Sequence, residues 1–335
     1  MRYIITSVLA SQLATAAMAE VPLVVTDIPP VHSLVAMVMG DLGQPVLLLD
    51  QGGDAHDFQL RPSQAGAIAD AGLVVWIGPE MSPWLDHVID GGGTTAAVLG
   101  LLAAEGTYRQ GYGEEAGGDH EGHDHAAKKA EGHDHDHGTE KAHDHGAEEA
   151  AEEAGDHEGH DHSGVDPHAW LDPHNAEAWV GLIAAELGRI DPANAATYAA
   201  NAAAAAERIE ALEAEVSATL APVKDRPFVV FHEAYGYFAG HFGLTIAGAV
   251  AEGDAASPGA ARLRELQEAA EGRALCVFPE ANHDPALSAQ LAEATGTRLG
   301  GTLDPEGSAL EPGAGLYPAL LTGLAQTLAE CLSQG

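Results

Sequence analysis

The fold is decided by residues 22–49, which read PLVVTDIPPVHSLVAMVMGDLGQPVLLL. Leu23–Thr26 is a short apolar run typical of a strand, and Ser33–Met39 has the apolar character of a helix that ends near Gly40. Pro45–Leu49 then begins a second strand. Because a strand, a helix and a strand in this order form a βαβ unit, the pattern predicts a parallel sheet. The alternation continues to about residue 110 and indicates the α/β class.

The same alternation returns in the second half of the chain. Phe228–Phe231 and Leu275–Phe278 have the composition of strands, and helical stretches lie between and after them. Between the two halves, an Ala- and Glu-rich stretch has apolar residues three or four apart, which predicts one long amphipathic helix. They are Ile209, Leu212, Val216 and Leu220. We therefore expect an N-terminal α/β lobe over residues 20–190 and a C-terminal α/β lobe over 223–335. A rigid connecting helix over 191–222, with Asp191 as its N-cap and Pro192 in its first turn, would join them.

The first residues have the features of a secretory signal. Arg2 supplies a positive charge, Ile4–Ala17 is apolar or small, and Ala17-Met18-Ala19 fits the cleavage rule for signal peptides. We expect residues 1–19 to be removed on export. No later run reaches the roughly 18 apolar residues that span a bilayer, so the sequence predicts a soluble, exported protein.

Residues 113–164 interrupt the first lobe with a different composition. The stretch carries 17 acidic residues and three lysines and almost no large apolar side chain. It cannot bury enough apolar surface to offset its ordering entropy, so we expect a disordered insertion. Its histidines alternate with carboxylates and predict several weak zinc sites, the alternative being a solubilising acidic loop. They are His120, His123, His125, His133, His135, His137, His143, His145, His157, His160 and His162.

The charge balance excludes some classes of partner. Lys and Arg total 14 and Asp and Glu total 51, for a formal net charge of -37. Such a surface repels nucleic acid and anionic membranes, and it is compatible with cationic ligands.

The chain has two cysteines, Cys276 in an apolar strand-like run and Cys331 near the C-terminus. In an oxidising compartment an isolated pair is by default a disulfide, which here would fasten the last helix to the second sheet. A metal site with two cysteines is the alternative, although the CxxC spacing is absent.

Outside the insertion, three histidines lie where a site is expected. His56 follows the strand at Pro45–Leu49, His168 lies in the sequence DPHAWLDP, and His232 follows the strand at Phe228–Phe231. Ligands of open α/β sheets bind beyond the carboxyl ends of strands, so these imidazoles could meet between the lobes. Three neutral imidazoles suit Zn²⁺ and leave a fourth tetrahedral position.

Four motifs in this order resemble the metal-binding (cluster A-I) solute-binding proteins of ABC transporters, above all the ZnuA-like zinc-uptake branch. They are GGDAHDFQLRPSQ (52–64), DPHAWLDP (166–173), VVFHEAYGYF (229–238) and GGTLDPEG (300–307). The resemblance covers essentially the whole mature chain. It implies two (β/α) lobes joined by a rigid helix, with the metal in the interdomain cleft. It also implies a disulfide between Cys276 in CVFPE and Cys331 in AECLSQG.

The resemblance assigns the three histidine ligands to His56, His168 and His232. The fourth position is open: it is water, Asp304, which matches the carboxylate used by the manganese and iron branches, or else Asp54 or Glu233. Some zinc-binding relatives have a carboxylate directly before the first histidine, where this chain has Ala55. A histidine at position 232, where the other branches use a carboxylate, favours zinc.

The sequence therefore predicts a periplasmic protein, not an enzyme, that captures Zn²⁺ and delivers it to an importer. The partners implied by the resemblance are the permease and the ATPase of an ABC transporter, with a periplasmic zinc chaperone as a further candidate. We expect a monomer that binds no nucleic acid. The alternatives are a manganese or iron carrier of the same family, a zinc buffer, or a three-histidine zinc hydrolase.

Overall fold

The computed structural model describes residues 21–49, 51–56, 58–112, 164–251, 260–270 and 274–334. The predicted signal peptide lies outside these residues, as do the insertion up to residue 163 and all eleven of its histidines. Among the described residues, no helix is long and apolar enough to cross a membrane.

The first half forms a four-stranded sheet in which every pairing is parallel. Its strands lie in the order β2-β1-β3-β4, so β1 and β3 are central. The first helix begins at Pro29, earlier than the predicted Ser33, because two prolines occupy its first turn, where no backbone N–H is required. The strands are β1 (Val24–Thr26), β2 (Val46–Leu47), β3 (Leu73–Trp76) and β4 (Ala97–Gly100), and the helices are α1 (Pro29–Met39), α2 (Pro62–Asp70) and α3 (Pro83–Asp90).

The second half repeats this arrangement. Its four parallel strands lie in the order β6-β5-β7-β8, which matches the order of the first sheet. The strands are β5 (Phe228–Val230), β6 (Ile246–Ala249), β7 (Cys276–Val277) and β8 (Arg298–Leu299). Together the two parallel sheets with their helices confirm the predicted α/β class.

Helices α4 (Pro173–Ile190) and α5 (Ala195–Leu220) lie between the two sheets in the sequence, and four more helices follow among the residues that the structure describes. The 26 residues of α5 span about 39 Å at the usual rise per residue. Its buried stripe includes the predicted Ile209, Leu212, Val216 and Leu220, and the helix packs against α1, α4 and α9. The later helices are α6 (Gly236–Phe242), α7 (Ala260–Ala270), α8 (Ala286–Thr295) and α9 (Leu316–Leu332).

The predicted N-cap of the long helix is wrong. Asn194 is the N-cap of α5, whereas Asp191 ends α4. The Asp191 carboxylate accepts hydrogen bonds from Asn194 Nδ2 at 2.7 Å and from the buried Tyr198 hydroxyl at 3.0 Å. Asp191 therefore stabilises the junction between α4 and α5 and does not cap the first turn of α5.

The two cysteines are bonded to each other, which joins β7 to the last turn of α9. Two arginines secure the same helix end: Arg298 donates to the carbonyl oxygen of Cys331 at 2.8 Å, and Arg226 donates to that of Leu332 at 2.7 Å. Cations at a helix C-terminus interact favourably with its exposed carbonyl groups. The predicted disulfide is thus confirmed, and the cysteines are not metal ligands.

Candidate metal centre

His232 is positioned by the second sheet. It lies two residues beyond the end of β5, and only 2% of its surface is exposed. Its Nδ1 atom is 2.7 Å from the carboxylate of Glu280, which lies beyond the end of the neighbouring strand β7 and also accepts a hydrogen bond from the Tyr235 hydroxyl at 3.2 Å. A carboxylate is only an acceptor, so Nδ1 is the donor in this contact, and in the neutral form of the ring the lone pair is then on Nε2.

His168 is held in the same way. It is fully buried, and its Nδ1 atom lies 2.8 Å from Oδ1 of Asp166, which also accepts the His168 backbone N–H at 2.9 Å. The backbone at Asp166 is fixed in turn by α6 of the second half, because the Tyr237 hydroxyl donates to the Asp166 carbonyl at 2.9 Å. The neutral His168 ring therefore also presents its lone pair on Nε2.

The two imidazoles meet at these nitrogens. The Nε2 atoms of His168 and His232 are 3.5 Å apart. Two nitrogens bound to one tetrahedral zinc at the usual bond length would be about 3.3 Å apart. A cation bound by both Nε2 atoms would fit this separation.

His56 completes the group of three histidines. Its ring centroid is 5.5 Å from that of His168, which is 5.3 Å from that of His232. The loop that carries His56 is held by two hydrogen bonds: Asp54 accepts the His56 backbone N–H at 2.9 Å, and Trp84 donates to the Ala55 carbonyl at 2.7 Å. The three histidines named from the sequence thus lie side by side.

Asp304, the residue named for the fourth position, is engaged in its own turn. One carboxylate oxygen accepts from the Ser308 backbone at 2.9 Å and from its hydroxyl at 3.2 Å, and the other accepts from the Ala309 backbone at 2.9 Å. The next residue, Pro305, accepts the indole N–H of Trp170 at 2.8 Å, and that ring lies against His168. Asp304 thus anchors a turn beside the centre, and its role as a ligand stays a prediction.

Sequence reasoning missed three side chains at this centre. Asp166 and Glu280 hold the two buried imidazoles, and His283 lies with its ring centroid 5.8 Å from that of His232. His232, Glu280 and His283 each offer one ligand atom within 4.8 Å of the others. The sequence signal that could have identified Glu280 was its position, because it follows a strand of the second sheet, as His232 does.

Comparison with known proteins finds a family model and relatives that cover most of this chain. The family model described as zinc-uptake complex component A, periplasmic, matches residues 24–331. The high-affinity zinc uptake system protein ZnuA of Paracoccus denitrificans is 54% identical over 329 residues, which cover 97% of each chain. Its namesake from Brucella suis is 44% identical over 312 residues, covering 93% of this chain and 92% of that protein.

A solved structure shares the fold. The laminin-binding adhesin Lmb of Streptococcus agalactiae, in a mutant form, superposes with a TM-score of 0.70 and 23% identity. The match covers 93% of this chain and 99% of the adhesin. At this level of identity the likeness bears on the fold alone.

Proposed function

Because this chain belongs to the ZnuA family, the periplasmic component A of zinc-uptake complexes, we propose that it captures Zn²⁺ and delivers it to a membrane importer. The observation that carries the proposal is the 3.5 Å separation of the His168 and His232 Nε2 atoms, with each Nδ1 held by a buried carboxylate. That arrangement fits a metal ion as cargo.

The proposed ligands are His56, His168 and His232. Hydrogen bonds from Nδ1 to Asp166 and Glu280 fix the orientation of two of the rings and raise the basicity of the ligating nitrogens. Imidazole ligands suit zinc, whereas manganese and magnesium prefer oxygen. The all-histidine set therefore supports zinc over a manganese cargo.

The fourth position is proposed to hold water. Asp304 directs both carboxylate oxygens to donors within its own turn, and Asp54 accepts the backbone N–H of His56. A water ligand also exchanges quickly, which suits a carrier that must release its cargo.

Transport is favoured over hydrolysis by the positions of the carboxylates. A zinc hydrolase needs a carboxylate or imidazole free to act as a general base toward zinc-bound water. Here the buried carboxylates in contact with the histidines, Asp166 and Glu280, accept hydrogen bonds from His168 and His232 instead, and the nearby His283 imidazole lies 3.8 Å from the same Glu280 carboxylate.

The cellular setting is part of the proposal. Removal of residues 1–19 would release the chain into the periplasm, where an ABC-type permease and its ATPase in the inner membrane would receive the zinc.

The insertion at 113–164 is proposed to add weaker zinc sites through its alternating histidines and carboxylates. Deleting residues 119–162 should then lower the number of zinc ions bound at pH 7.5 and leave the tight site intact. An unchanged number would make the insertion only a solubilising segment.

Growth in zinc-poor medium tests the transport function. A strain that lacks its own zinc carrier should be rescued by this chain only when the cognate permease is present. The His168→Ala and His232→Ala variants should fail to rescue at equal periplasmic abundance, and the exposed His87→Ala variant serves as the matched control. Rescue without the permease would indicate a zinc buffer, and rescue by both variants would contradict the proposed site.

A further inference from the structure

A second group of histidines and carboxylates lies where three helices meet. Asp172 is the N-cap of α4, His174 is in the first turn of the same helix, Glu213 is on α5, and His241 is near the end of α6. The Asp172 carboxylate accepts the His174 backbone N–H at 2.9 Å. Each of these four residues thus lies on a helix or at a helix end, which fixes its backbone. We call these four residues the three-helix cluster.

His241 is the centre of the three-helix cluster. Its Nδ1 atom is 3.0 Å from Oδ1 of Asp172, and its Nε2 atom is 3.1 Å from Oε1 of Glu213. His174 approaches the same carboxylate, with Nε2 3.6 Å from Oε2 of Glu213. The His174 and His241 ring centroids are 4.6 Å apart, and Asp172, His174 and His241 each offer one ligand atom within 4.8 Å of the others.

These distances match the surroundings of a small metal ion. Ligand atoms on one tetrahedral zinc are about 3.3–3.5 Å apart, and the Glu213 carboxylate lies 3.1 and 3.6 Å from the two imidazole nitrogens. Asp172 contacts the other nitrogen of His241, which is the arrangement by which a carboxylate orients a metal-ligating histidine. Two imidazoles with a carboxylate suit zinc better than magnesium or calcium, which take oxygen ligands.

The three-helix cluster is accessible from one side. The exposed fraction of the side chain is 60% for His174, 29% for Glu213 and 9% for His241. His241 and Asp172 therefore form a fixed, buried floor, whereas His174 can adjust its side chain to admit an ion and complete the site.

We propose that His174, Glu213 and His241 form a second Zn²⁺ site, with Asp172 orienting His241. It is distinct from the group of cleft histidines because it shares no ligand with His56, His168 and His232. A variant at one set of ligands can therefore be tested while the other set keeps all of its side chains.

Residue-specific chemical modification of the full-length chain tests this site despite the other zinc-binding histidines. Diethyl pyrocarbonate modifies accessible imidazole nitrogens, and a bound metal protects them. At a zinc concentration about ten times the dissociation constant of this site, only about a tenth of the site stays empty, so the modification of His174 should slow by about tenfold. The exposed His87, whose Nδ1 contacts the Pro83 carbonyl at 2.6 Å, is the internal control. It should react at the same rate with and without zinc.

The variants Glu213→Gln and His241→Gln should abolish the protection of His174. Glu213→Gln keeps the size of a partly exposed side chain, so circular dichroism should show an unchanged fold. Equal reactivity of His174 with and without zinc would overturn the proposal. So would protection that persists in both variants, because the ligands would then come from elsewhere in the chain.

Discussion

The Nε2 atoms of His168 and His232 lie 3.5 Å apart, although the residues are 64 positions apart in the chain and precede and follow the long helix α5. Each ring is fixed through Nδ1 by a carboxylate from its own half, Asp166 for the first and Glu280 for the second. The fold therefore orients the two proposed ligands before any metal binds. Such preorganisation reduces the ordering cost of binding.

The supporting carboxylates should contribute to zinc affinity without touching the metal. We expect Glu280→Gln and Asp166→Asn each to weaken tight zinc binding by about tenfold or more, because the amide can present a donor where the ring needs an acceptor. Competition with a chromogenic chelator measures the change. Glu186→Gln, which removes an exposed charge paired with Arg189, is the matched control and should leave the affinity unchanged. Wild-type affinity in both carboxylate variants would show that these contacts do not tune the site.

Asp304→Asn should distinguish a water ligand from a carboxylate ligand. If Asp304 only holds the turn through Ser308 and Ala309, zinc affinity should change less than in His232→Ala, and the free energy of unfolding should fall by about 1 kcal/mol. Chelator competition and urea unfolding provide the two readouts. A loss of affinity as large as that of His232→Ala would identify Asp304 as the fourth ligand.

Loss of the disulfide should destabilise the fold. The bond closes a segment with a sequence separation of 55, which is worth up to about 4 kcal/mol in the chain-entropy model. Urea unfolding of the double variant Cys276→Ser, Cys331→Ser should show this loss, and a reductant should produce it in the wild type but add nothing in the variant. Two free thiols in denatured, unreduced protein from the periplasm would contradict the bond.

Asp27 should make stability depend on pH near neutrality. It is fully buried at the end of β1, and burial raises its pKa to about 6, although Ile28, Ile77 and Ser82 donate hydrogen bonds to it. A carboxyl group whose pKa is higher in the folded state than in the unfolded chain stabilises the fold less once it ionises. Its contribution is therefore present at low pH and is lost as the pH rises through about 6.

Between pH 5 and pH 7.5 the Asp27 contribution should fall by about 1 kcal/mol. The many other acids also titrate, so the measurement is the difference in unfolding free energy between wild type and Asp27→Asn at each pH. This difference should vary with pH because the amide does not ionise. A difference that is constant from pH 5 to pH 7.5 would show that Asp27 keeps an ordinary pKa.

The main features of the fold were predictable because they follow from local periodicity. Apolar runs located β1, β2, β5 and β7, and the stripe through Ile209 and Val216 located α5. The cap of α5 was not predictable in the same way, because Asp191 and Asn194 are both good capping residues three positions apart. The hydrogen bond from the Tyr198 hydroxyl instead holds the Asp191 carboxylate at the junction of α4 and α5.

The candidate site was predictable only as far as its metal-binding residue types. His56 and His232 were named because each follows a predicted strand, and the assignment of all three histidines, His168 included, came from the resemblance of the motifs around them to a known family. Glu280 gave no such signal, because its partner His232 is 48 positions away and the contact exists only once β5 and β7 are paired. The three-helix cluster escaped notice for the same reason, since His241 meets Asp172 and Glu213 only through helix packing.

A crystal structure of the full-length chain with one equivalent of zinc, with anomalous data on both sides of the zinc absorption edge, tests the central claim most directly. We expect one strong anomalous peak bonded to His56, His168 and His232 at about 2.0–2.1 Å each, with water as the fourth ligand. A cleft without a peak, and the single zinc bound instead at the insertion or at the three-helix cluster, would contradict the account.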